Sequence, residues 1–315
     1  MEVVFMRKKI GVLMGGVSSE RDISLMSGRG IVEHLDKEKF EAIPIEINEK
    51  NDVFTKCQNI DFAFIALHGE FGEDGCVQSI LSAMNIPYSG SGPVPSCLSL
   101  DKDTSKKILR FAGVRTADWL MVKKDVSNID FSAVTEIGYP VFVKPNNGGS
   151  SVATALVRHE KDLAVAVVEA LKYDQEVMIE AYIQGDEISI PMIDGIIYPT
   201  MAIKPQGDFF DIKAKYATYE SGGADEFVIE LEPALKEEVE AMLQITWREL
   251  KLESYARIDL LIRDGVPYLL EVNTLPGMTP TSLLPQSYVS LGHSYADLLT
   301  KMIEVSMKAR GVSDD

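Results

Sequence analysis

The chain has 315 residues, which is long for one compact core and suits two or three lobes. Its 31 Lys and Arg against 48 Asp and Glu give a formal net charge of −17, which opposes binding to nucleic acid or an anionic membrane surface. No apolar run approaches the roughly 18 residues of a membrane helix, and the first basic residues follow a short apolar stretch, the reverse of a signal peptide. We therefore expect a cytoplasmic protein with small-molecule partners, no nucleic acid and no membrane.

The first part of the chain predicts an α/β lobe. Residues 9–14 are typical of a buried parallel strand, Gly15 and Gly16 form its turn, and a helical pattern begins at Ser18. Further strands are predicted at 41–46 and 62–67. Because strands and helices alternate, we predict a parallel sheet over residues 1–98. The lobe lacks G-x-G-x-x-G, so no nicotinamide site is expected.

Two α+β lobes are predicted to follow, over residues 99–185 and 186–315. The central lobe combines predicted helices and strands, at 103–112, 141–144, 162–173 and 177–180. The C-terminal lobe combines strands, a long helix, a hairpin and a terminal helix, at 187–192, 196–198, 233–250, 255–273 and 294–309. The predicted fold class is thus α/β, a parallel lobe followed by two α+β lobes.

The hairpin over 255–273 is the most informative stretch. The Asp-Gly pair at 264 and 265 lies between two apolar runs and predicts its turn. A two-residue turn places Asp259 opposite Leu270, whereas a three-residue turn over 264–266 places Asp259 opposite Glu271. We favour the longer turn because it also puts Arg257 opposite Asn273, so that the polar side chains share one face.

Three oxygen-bearing side chains on this hairpin, Asp259, Glu271 and Asn273, predict a Mg²⁺ site, because Mg²⁺ prefers carboxylate and amide oxygens. The alternative is a solvated hairpin face with ordinary surface acids. The flanking residues are strongly apolar, which places these side chains against a core. Partly buried carboxylates need a partner, and a metal ion supplies one.

A phosphate-binding loop is predicted after the strand at 141–144. Lys144 ends that strand and is followed by a Gly-Gly-Ser-Ser sequence at 148–151, whose backbone N–H groups and hydroxyls can surround phosphate. Such a sequence is more often a simple turn, but Lys144 beside it and a second lysine, Lys102, favour phosphate. Residues 180–183 end an apolar strand between lobes, where backbone groups can pair with an adenine edge, and Glu187 is placed for ribose hydroxyls. A plain interdomain strand is the alternative.

Together these patterns resemble the ATP-grasp superfamily and, within it, the D-alanine–D-alanine ligase family. The resemblance runs from about residue 9 to 306, and its most specific marks are GGVSSERDIS at 15–24, LHGEFGEDG at 67–75, SGSG at 89–92, RID at 257–259 and EVNTLPGM at 271–278. It implies an ATP-grasp fold whose second and third lobes clamp ATP. It also implies ligation of two D-alanines through an acyl phosphate, with release of ADP and phosphate, for peptidoglycan. The family is commonly homodimeric.

The resemblance carries roles onto matching positions. The nucleotide contacts it implies are Lys102, Lys144, Ser150, Ser151, Glu180, Ala181, Tyr182, Ile183, Glu187 and Lys215. It implies that two Mg²⁺ or Mn²⁺ ions are bound by Asp259, Glu271 and Asn273. It implies catalytic roles for Glu20, Ser150, Tyr216, Arg257 and Gly277. The D-alanine contacts are Glu20, His68, Ser282 and Leu283.

Several of these residues have simpler explanations. Glu20 can stabilise a helix N-terminus, His68 can be a structural loop histidine, and Ser282 can be a helix cap. Tyr216 is the family residue that goes with dipeptide formation, whereas relatives that use D-lactate carry another residue there. The alternatives are therefore a ligase with D-serine or D-lactate as second substrate, or a noncatalytic nucleotide-binding protein.

The chain departs from common family patterns near the predicted phosphate loop. Gly148 stands where a charged residue is often seen, and Ala153-Thr154 stand where glycine is usual. The predicted lid, residues 217–231, is unusually acidic, and its Ser-Gly-Gly-Ala sequence at 221–224 predicts mobility without ligand.

Overall fold

The computed structural model describes residues 7–149, 152–205 and 224–312. Four predicted site residues, Ser150, Ser151, Lys215 and Tyr216, lie outside the described residues, as does the predicted lid up to residue 223. In the part of the chain that is described, no helix is both long enough and apolar enough to span a bilayer.

The N-terminal sheet is parallel, as predicted. Its strands are β1 (Lys8–Gly15), β2 (Phe40–Ile47) and β3 (Phe62–Ile65), in the order β2-β1-β3. The helices of this region are α1 (Arg21–His34), α2 (Asp52–Lys56), α3 (Cys76–Ala83) and α4 (Pro93–Leu100). Helix α1 lies close against β1 because Gly28 has no side chain; a Cβ there would be 2.5 Å from Cβ of Met14. This contact fixes the start of α1, where Glu20 lies.

The central sheet has four antiparallel strands in the order β4-β7-β5-β6. They are β4 (Trp119–Lys123), β5 (Val141–Pro145), β6 (Ala155–Val157) and β7 (Glu176–Ala181). Helices α6 (Phe131–Ile137) and α7 (Glu160–Ala170) accompany the sheet. Its core includes Val141, Val143, Leu163, Val167 and Ile179. The predicted strands at 141–144 and 177–180 are β5 and β7, whereas β4 and β6 were not predicted.

The third sheet follows the path β11-β10-β8-β12-β13, with β9 paired to β8. Its strands are β8 (Asp186–Ile193), β9 (Ile196–Ile197), β10 (Thr200–Pro205), β11 (Ala224–Ile229), β12 (Tyr255–Arg263) and β13 (Val266–Asn273). Strand β11 occupies part of the predicted lid and pairs antiparallel with β10. The long helix α8 (Pro233–Glu249) buries Val239 and Leu243 in one cluster with Ile190, Ile258 and Leu260.

The hairpin of β12 and β13 corrects the predicted turn. Arg263 pairs with Val266, so the turn has two residues, and the three-residue turn was wrong. Asp264 and Gly265 both have positive φ, 51° and 75°, which suits such a tight turn. Asp259 nevertheless lies opposite Glu271, because the register shifts between Asp259 and Leu260. A β-bulge, rather than a longer turn, produces the predicted pairing.

Two helices pack on sheets from other parts of the chain. The terminal helix α10 (Tyr295–Ala309) follows α9 (Leu283–Val289) and packs its Leu298 and Met302 in one cluster with Ile10 and Phe64 of the N-terminal sheet. Helix α5 (Lys102–Phe111) places Leu109 in the core of the third sheet. The predicted lobe boundaries at residues 98 and 185 stay a proposal. Two hydrophobic clusters contain residues from both sides of these boundaries.

Candidate active site

A cavity of about 330 Å³ lies between the central and third sheets. Its lining includes most of the residues predicted to contact the nucleotide: Lys102, Lys144, Glu180, Ala181, Tyr182, Ile183 and Glu187. Glu271 from strand β13 lines the cavity as well. Residues from four distant stretches of sequence are thus brought together at one cleft, on elements of both sheets.

Lys102 is positioned by the cap of helix α5. Asp101 accepts a hydrogen bond from the Thr104 N–H at 2.9 Å, as an N-cap does, and another from the Asn146 side chain at 2.9 Å. Asn146 follows strand β5, so this pair of bonds fastens the helix start to the loop after Lys144. The Lys102 ammonium donates to the Gly148 carbonyl and lies 3.9 Å from the Glu271 carboxylate. Burial lowers the pKa of Lys102, whereas Glu271 opposes that change.

Lys144 is held by Glu180, which lies on the adjacent strand β7. The Lys144 ammonium is 2.5 Å from Oε2 of Glu180, and both side chains are buried. Burial by itself would raise the pKa of Glu180, but the ammonium groups of Lys106 and Lys144 outweigh it and hold that pKa at about 2. Lys106 was not among the predicted site residues. Its position on α5, one turn after Lys102, was the available signal.

Apolar side chains form part of the cavity wall, and the sequence analysis did not identify them. Phe142, Leu261, Tyr268 and Leu269 all line the cavity. Phe142 contacts Tyr182 edge to face, with ring centroids 5.5 Å apart. Alternation along β5 could have revealed Phe142, since Val141 and Val143 face the core and the residue between them faces the other way. Such walls suit a flat aromatic base.

The carboxylate of Asp259 is surrounded by donors. Oδ1 accepts from Ser189 Oγ at 2.6 Å and from Arg257 Nε at 3.0 Å, while Oδ2 accepts from Arg257 Nη2 at 2.7 Å and from Asn273 Nδ2 at 2.9 Å. These four bonds use the lone-pair directions of the carboxylate. Within the described residues, no group of three His, Cys, Asp or Glu side chains is placed to hold a metal ion. A cation between Asp259 and Asn273 would replace their mutual hydrogen bond.

The Glu20 carboxylate lies beside Gly149. Glu20 precedes α1 and is buried, and its side chain forms no capping hydrogen bond with that helix. Its carboxylate lies against Gly149, where a Cβ would be 2.8 Å from Oε1, and against Gly69, where the distance would be 3.0 Å. The nucleotide loop and the N-terminal lobe therefore meet at this carboxylate.

His68 is a buried neutral imidazole. Its Nε2 lies 3.4 Å from Ser27 Oγ of helix α1, and its carbonyl accepts a hydrogen bond from Ser18 Oγ at 2.7 Å. Burial lowers its pKa to about 4, the positive charge of Arg257 adds to this effect, and a backbone hydrogen bond to Leu275 opposes it. The same hydrogen bonds that satisfy His68 also tie its loop to helix α1.

Glu73 is a second carboxyl group that the sequence analysis did not assign to the site. It accepts a hydrogen bond from the Gly69 N–H at 2.7 Å and lines a narrow cleft of about 20 Å³ with Lys102, Glu271 and Asn273. Burial and the neighbouring Glu20 carboxylate raise its pKa to about 8, against the opposing effects of the Gly69 N–H and Lys102. Burial and the Glu20 carboxylate therefore both favour the protonated form of Glu73. The motif at 67–75 was the signal for it.

The stretch from Gly277 to Leu283 leads from strand β13 into helix α9. Ser282 precedes helix α9, but its Oγ accepts a hydrogen bond from the Thr279 N–H at 3.2 Å and forms no cap with the helix. A Cβ on Gly277 would lie 3.0 Å from this Oγ. Leu283 is buried with Met201 and Ile203 of the third sheet. The loop is thus held by its own side chains and by the sheet.

Family models match nearly the whole chain. The D-ala D-ala ligase C-terminus model matches residues 107–304, and the D-ala D-ala ligase N-terminus model matches residues 9–56 and 48–91. The chain is 57% identical over 300 residues to a D-alanine–D-alanine ligase from Clostridium perfringens, with 95% of this chain and 98% of that protein covered.

Solved structures agree with this result. The D-alanine–D-alanine ligase from Bacillus anthracis complexed with ATP has a TM-score of 0.87 at 42% identity, covering 96% of this chain and 99% of that one. The VanG D-Ala:D-Ser ligase from Enterococcus faecalis has a TM-score of 0.78 at 26% identity, covering 96% of this chain and 100% of the other. These matches agree with the ATP-grasp fold. The chain belongs to the D-alanine–D-alanine ligase family.

Proposed function

We propose that this protein joins two D-alanine molecules into D-alanyl-D-alanine at the expense of ATP and so supplies a dipeptide for peptidoglycan. The observation that carries the proposal is the cleft between the sheets, where the buried lysines Lys102 and Lys144 and the carboxylate Glu271 surround one cavity. A triphosphate needs such cations, and an acyl-phosphate reaction needs them most because two anions approach each other. The identity of 57% to a D-alanine–D-alanine ligase supports the same substrate.

In the first step an oxygen of the D-alanine carboxylate attacks the γ-phosphorus of ATP. The bond from that phosphorus to the ADP oxygen breaks, and D-alanyl phosphate and ADP form. Lys102 and Lys144 lie where they can neutralise the phosphates, and Glu187 where it can accept from ribose hydroxyls. Lys215, Ser150 and Ser151 are proposed to complete the nucleotide contacts, as the family resemblance implies.

A pair of divalent cations, Mg²⁺ or Mn²⁺, fits the donor set of Asp259, Glu271 and Asn273, which offers hard oxygens on two adjacent strands. When bound, such cations supply charge neutralisation to the transferring phosphoryl group. Asp259 is prepared for this role because Arg257 and Ser189 hold its carboxylate in place. The ammonium of Lys102, which is proposed to contact phosphate, lies 3.9 Å from the carboxylate of Glu271, which is proposed to bind metal.

In the second step the amine nitrogen of another D-alanine bonds to the acyl carbon, the bond from that carbon to the phosphate oxygen breaks, and the released phosphate takes up the amine proton. Two Arg257 nitrogens, Nε and Nη2, hold Asp259, so Nη1 is the guanidinium nitrogen that we assign to the developing oxyanion, together with the Gly277 N–H. Glu20 is proposed to bind the ammonium of the first D-alanine beside Ser150 and Tyr216, and His68 to line the same site. Ser282 and the Leu283 N–H are assigned to the carboxylate of the second D-alanine.

The direct test offers ATP, Mg²⁺ and D-alanine to purified protein and measures phosphate release and the mass of the product. We expect phosphate and D-alanyl-D-alanine in equal amounts. Parallel reactions with D-alanine plus D-serine or D-lactate measure the choice of second substrate. A mixed product without dipeptide would reject the assigned second substrate, and ATP binding without any turnover would support a noncatalytic protein.

Two variants test whether this activity depends on Glu271 of the hairpin. Glu271→Gln should lower kcat/KM by roughly 10²- to 10³-fold because one hard ligand of the phosphoryl site becomes neutral. Glu249→Gln changes a carboxylate on helix α8 that pairs with Arg248 on the surface, and it should retain wild-type activity. Equal activity of the two variants would remove Glu271 from the site.

A homodimer is also proposed, and the family resemblance supports it; the cytoplasmic location expected from the sequence stays a proposal. The first part of the chain presents exposed apolar side chains, such as Phe54 and Val94, along a groove formed by α2, α3 and α4. Sedimentation of the purified protein at micromolar concentration tests the dimer, which should have twice the chain mass of 34.8 kDa.

A further inference from the structure

Lys106 is a buried lysine behind the nucleotide cavity, and its side chain is almost without solvent contact. It lies on α5, one turn beyond Lys102, and its exposure is 1%. Its ammonium donates to Oε1 of Glu180 and to Oγ1 of Thr116, the latter at 2.5 Å. The ammonium also lies 5.2 Å from the centre of the Trp119 ring. A lysine is rarely buried to this extent without a specific partner.

Glu180 is shared between two lysines. Oε1 faces Lys106, and Oε2 accepts from Lys144 at 2.5 Å, so one negative charge serves two positive charges. Burial lowers the pKa of Lys106, Glu180 opposes this, and Lys144 adds to the lowering. With both lysines protonated, the three side chains have a net charge of +1. Glu180 and Lys144 line the cavity and Lys106 lies behind them, so the excess positive charge of the group is next to the cavity.

The same group connects the two walls of the cavity. Thr116, which accepts from Lys106, donates through its hydroxyl to the Leu269 carbonyl at 3.0 Å. The Leu269 N–H in turn donates to the Arg115 carbonyl at 2.8 Å. A continuous series of hydrogen bonds therefore runs from Lys144 and Glu180 of the central sheet, through Lys106 and Thr116, to strand β13 beside Glu271. A substitution at Lys106 would change both the charge and the connection.

We propose that Lys106 is a positioning residue for ATP: it occupies one oxygen of Glu180, so that Lys144 keeps a positive charge in excess toward the triphosphate. Without Lys106, both oxygens of Glu180 would be available to Lys144, and the pair would be neutral. Lys106 acts through Glu180 and touches no reacting atom. This inference rests on the proposed function, which assigns the cavity to ATP.

The test measures the dissociation constant of ATP with Mg²⁺ by calorimetry, alongside kcat and KM, on variants whose folding is verified by circular dichroism. Lys106→Met should weaken ATP binding roughly tenfold, as loss of one charge-assisted contact does, and should raise the KM for ATP more than it lowers kcat. Lys107→Met is the matched control. Lys107 is the next residue along the helix, is exposed and pairs with Asp103 at 2.6 Å, and its variant should bind ATP within twofold of wild type.

A double variant separates this role from simple structural support. Lys106→Met with Glu180→Gln removes one charge of each sign and leaves Lys144 without a carboxylate to neutralise it. Because Glu180 itself lines the cavity, Glu180→Gln is the reference, and the double variant should bind ATP within roughly threefold of that single variant, which is the non-additivity of a shared partner. Loss of stability in Lys106→Met with unchanged ATP affinity would overturn the proposal. A double variant that binds ATP tenfold more weakly than Glu180→Gln would overturn it as well.

Two further outcomes distinguish failure of the inference about Lys106 from failure of the proposed function. If Lys106→Met does not fold, the double variant is compared with Glu180→Gln, and ATP binding more than tenfold weaker than in that single variant then rejects the proposal. If the wild-type protein itself shows no ATP binding, the assignment of the cavity under the proposed function fails, whatever the variants do.

Discussion

Two carboxyl groups of the site, Glu180 and Glu73, have pKa values displaced in opposite directions. Glu180 has a pKa of about 2, because two ammonium groups outweigh the effect of its burial. Glu73 has a pKa of about 8, because burial and the Glu20 carboxylate act in the same direction and Lys102 only partly opposes them. The same residue type is therefore favoured as an anion beside Lys106 and Lys144 and as a neutral acid beside Glu20. What decides between the two states is the local balance of charges rather than burial.

The largest effect is expected from removing the anion at Glu180. Glu180→Gln leaves two buried lysines without a counterion, so the free energy of unfolding should fall by about 3 to 5 kcal/mol, measured by urea denaturation. Glu176→Gln, on the same strand, breaks the ion pair with the largely exposed Lys123 and should cost about 1 kcal/mol or less. Equal costs for the two variants would mean that Glu180 is not the centre of the lysine group.

Glu73 should show the opposite dependence on pH. Folding raises its pKa from 4.5 to about 8, so between these values the folded chain keeps a proton that the unfolded chain has released. Stability from this group therefore falls as pH rises through that window, by about 1.4 kcal/mol per pH unit. Glu73→Gln removes this pH dependence. As pH rises through that window, the free energy of unfolding of the variant should therefore increase relative to wild type by about 1.4 kcal/mol per pH unit.

Urea denaturation at pH 5, 6, 7 and 8 measures this difference. Glu70→Gln, an exposed carboxylate of the same loop that pairs with Lys50, should follow the wild-type pH dependence. A constant difference between Glu73→Gln and wild type at all four pH values would show that Glu73 is ionised throughout.

His68 should show a pH dependence of stability opposite to that of Glu73, over a narrower range of pH. Its pKa falls from 6.5 to about 4 on folding, so below pH 6.5 the unfolded chain binds a proton that the folded chain does not. Stability from His68 is therefore lost as pH falls from 6.5 to 4, at up to about 1.4 kcal/mol per unit, opposite in sign to Glu73. His68→Gln should remove this acid loss, again by urea denaturation. A variant with the wild-type slope would contradict a buried neutral imidazole.

The smallest effect is expected at the boundary between the two carboxyl environments. Gly149→Ala places a Cβ 2.8 Å from Glu20 Oε1, so the carboxylate must move. The KM for D-alanine should rise roughly fivefold, about 1 kcal/mol, while the dissociation constant of ATP changes less. Gly30→Ala is the control, because its Cβ would meet Pro280 at an ordinary 3.7 Å. Weakened binding of ATP alone would place Gly149 wholly on the nucleotide side.

Much of the fold followed from local patterns. Apolar runs, turn residues and helical spacing predicted β1, β2, β3, β5, β7, both hairpin strands and the long helix α8, and family membership followed from the motifs. Strands β4, β6 and β10 were not predicted; β6 has only three residues, and β4 pairs with β7, which is distant in sequence. The prediction at the hairpin had the right pairing for the wrong reason, since a bulge between Asp259 and Leu260, not a longer turn, sets the register. A bulge leaves no clear mark in the residue pattern.

The sequence by itself determined which chemistry-bearing side chains exist and on which elements they lie, because hydrophobic periodicity and turn chemistry act over a few residues. Only the tertiary structure decided what each of those side chains faces. Lys106 shares Glu180 with Lys144, Glu73 lies beside Glu20, and Arg257 is committed to Asp259. All but the last of these join residues at least 36 positions apart. Charge states depend on such through-space neighbours and on desolvation, which chain order does not contain.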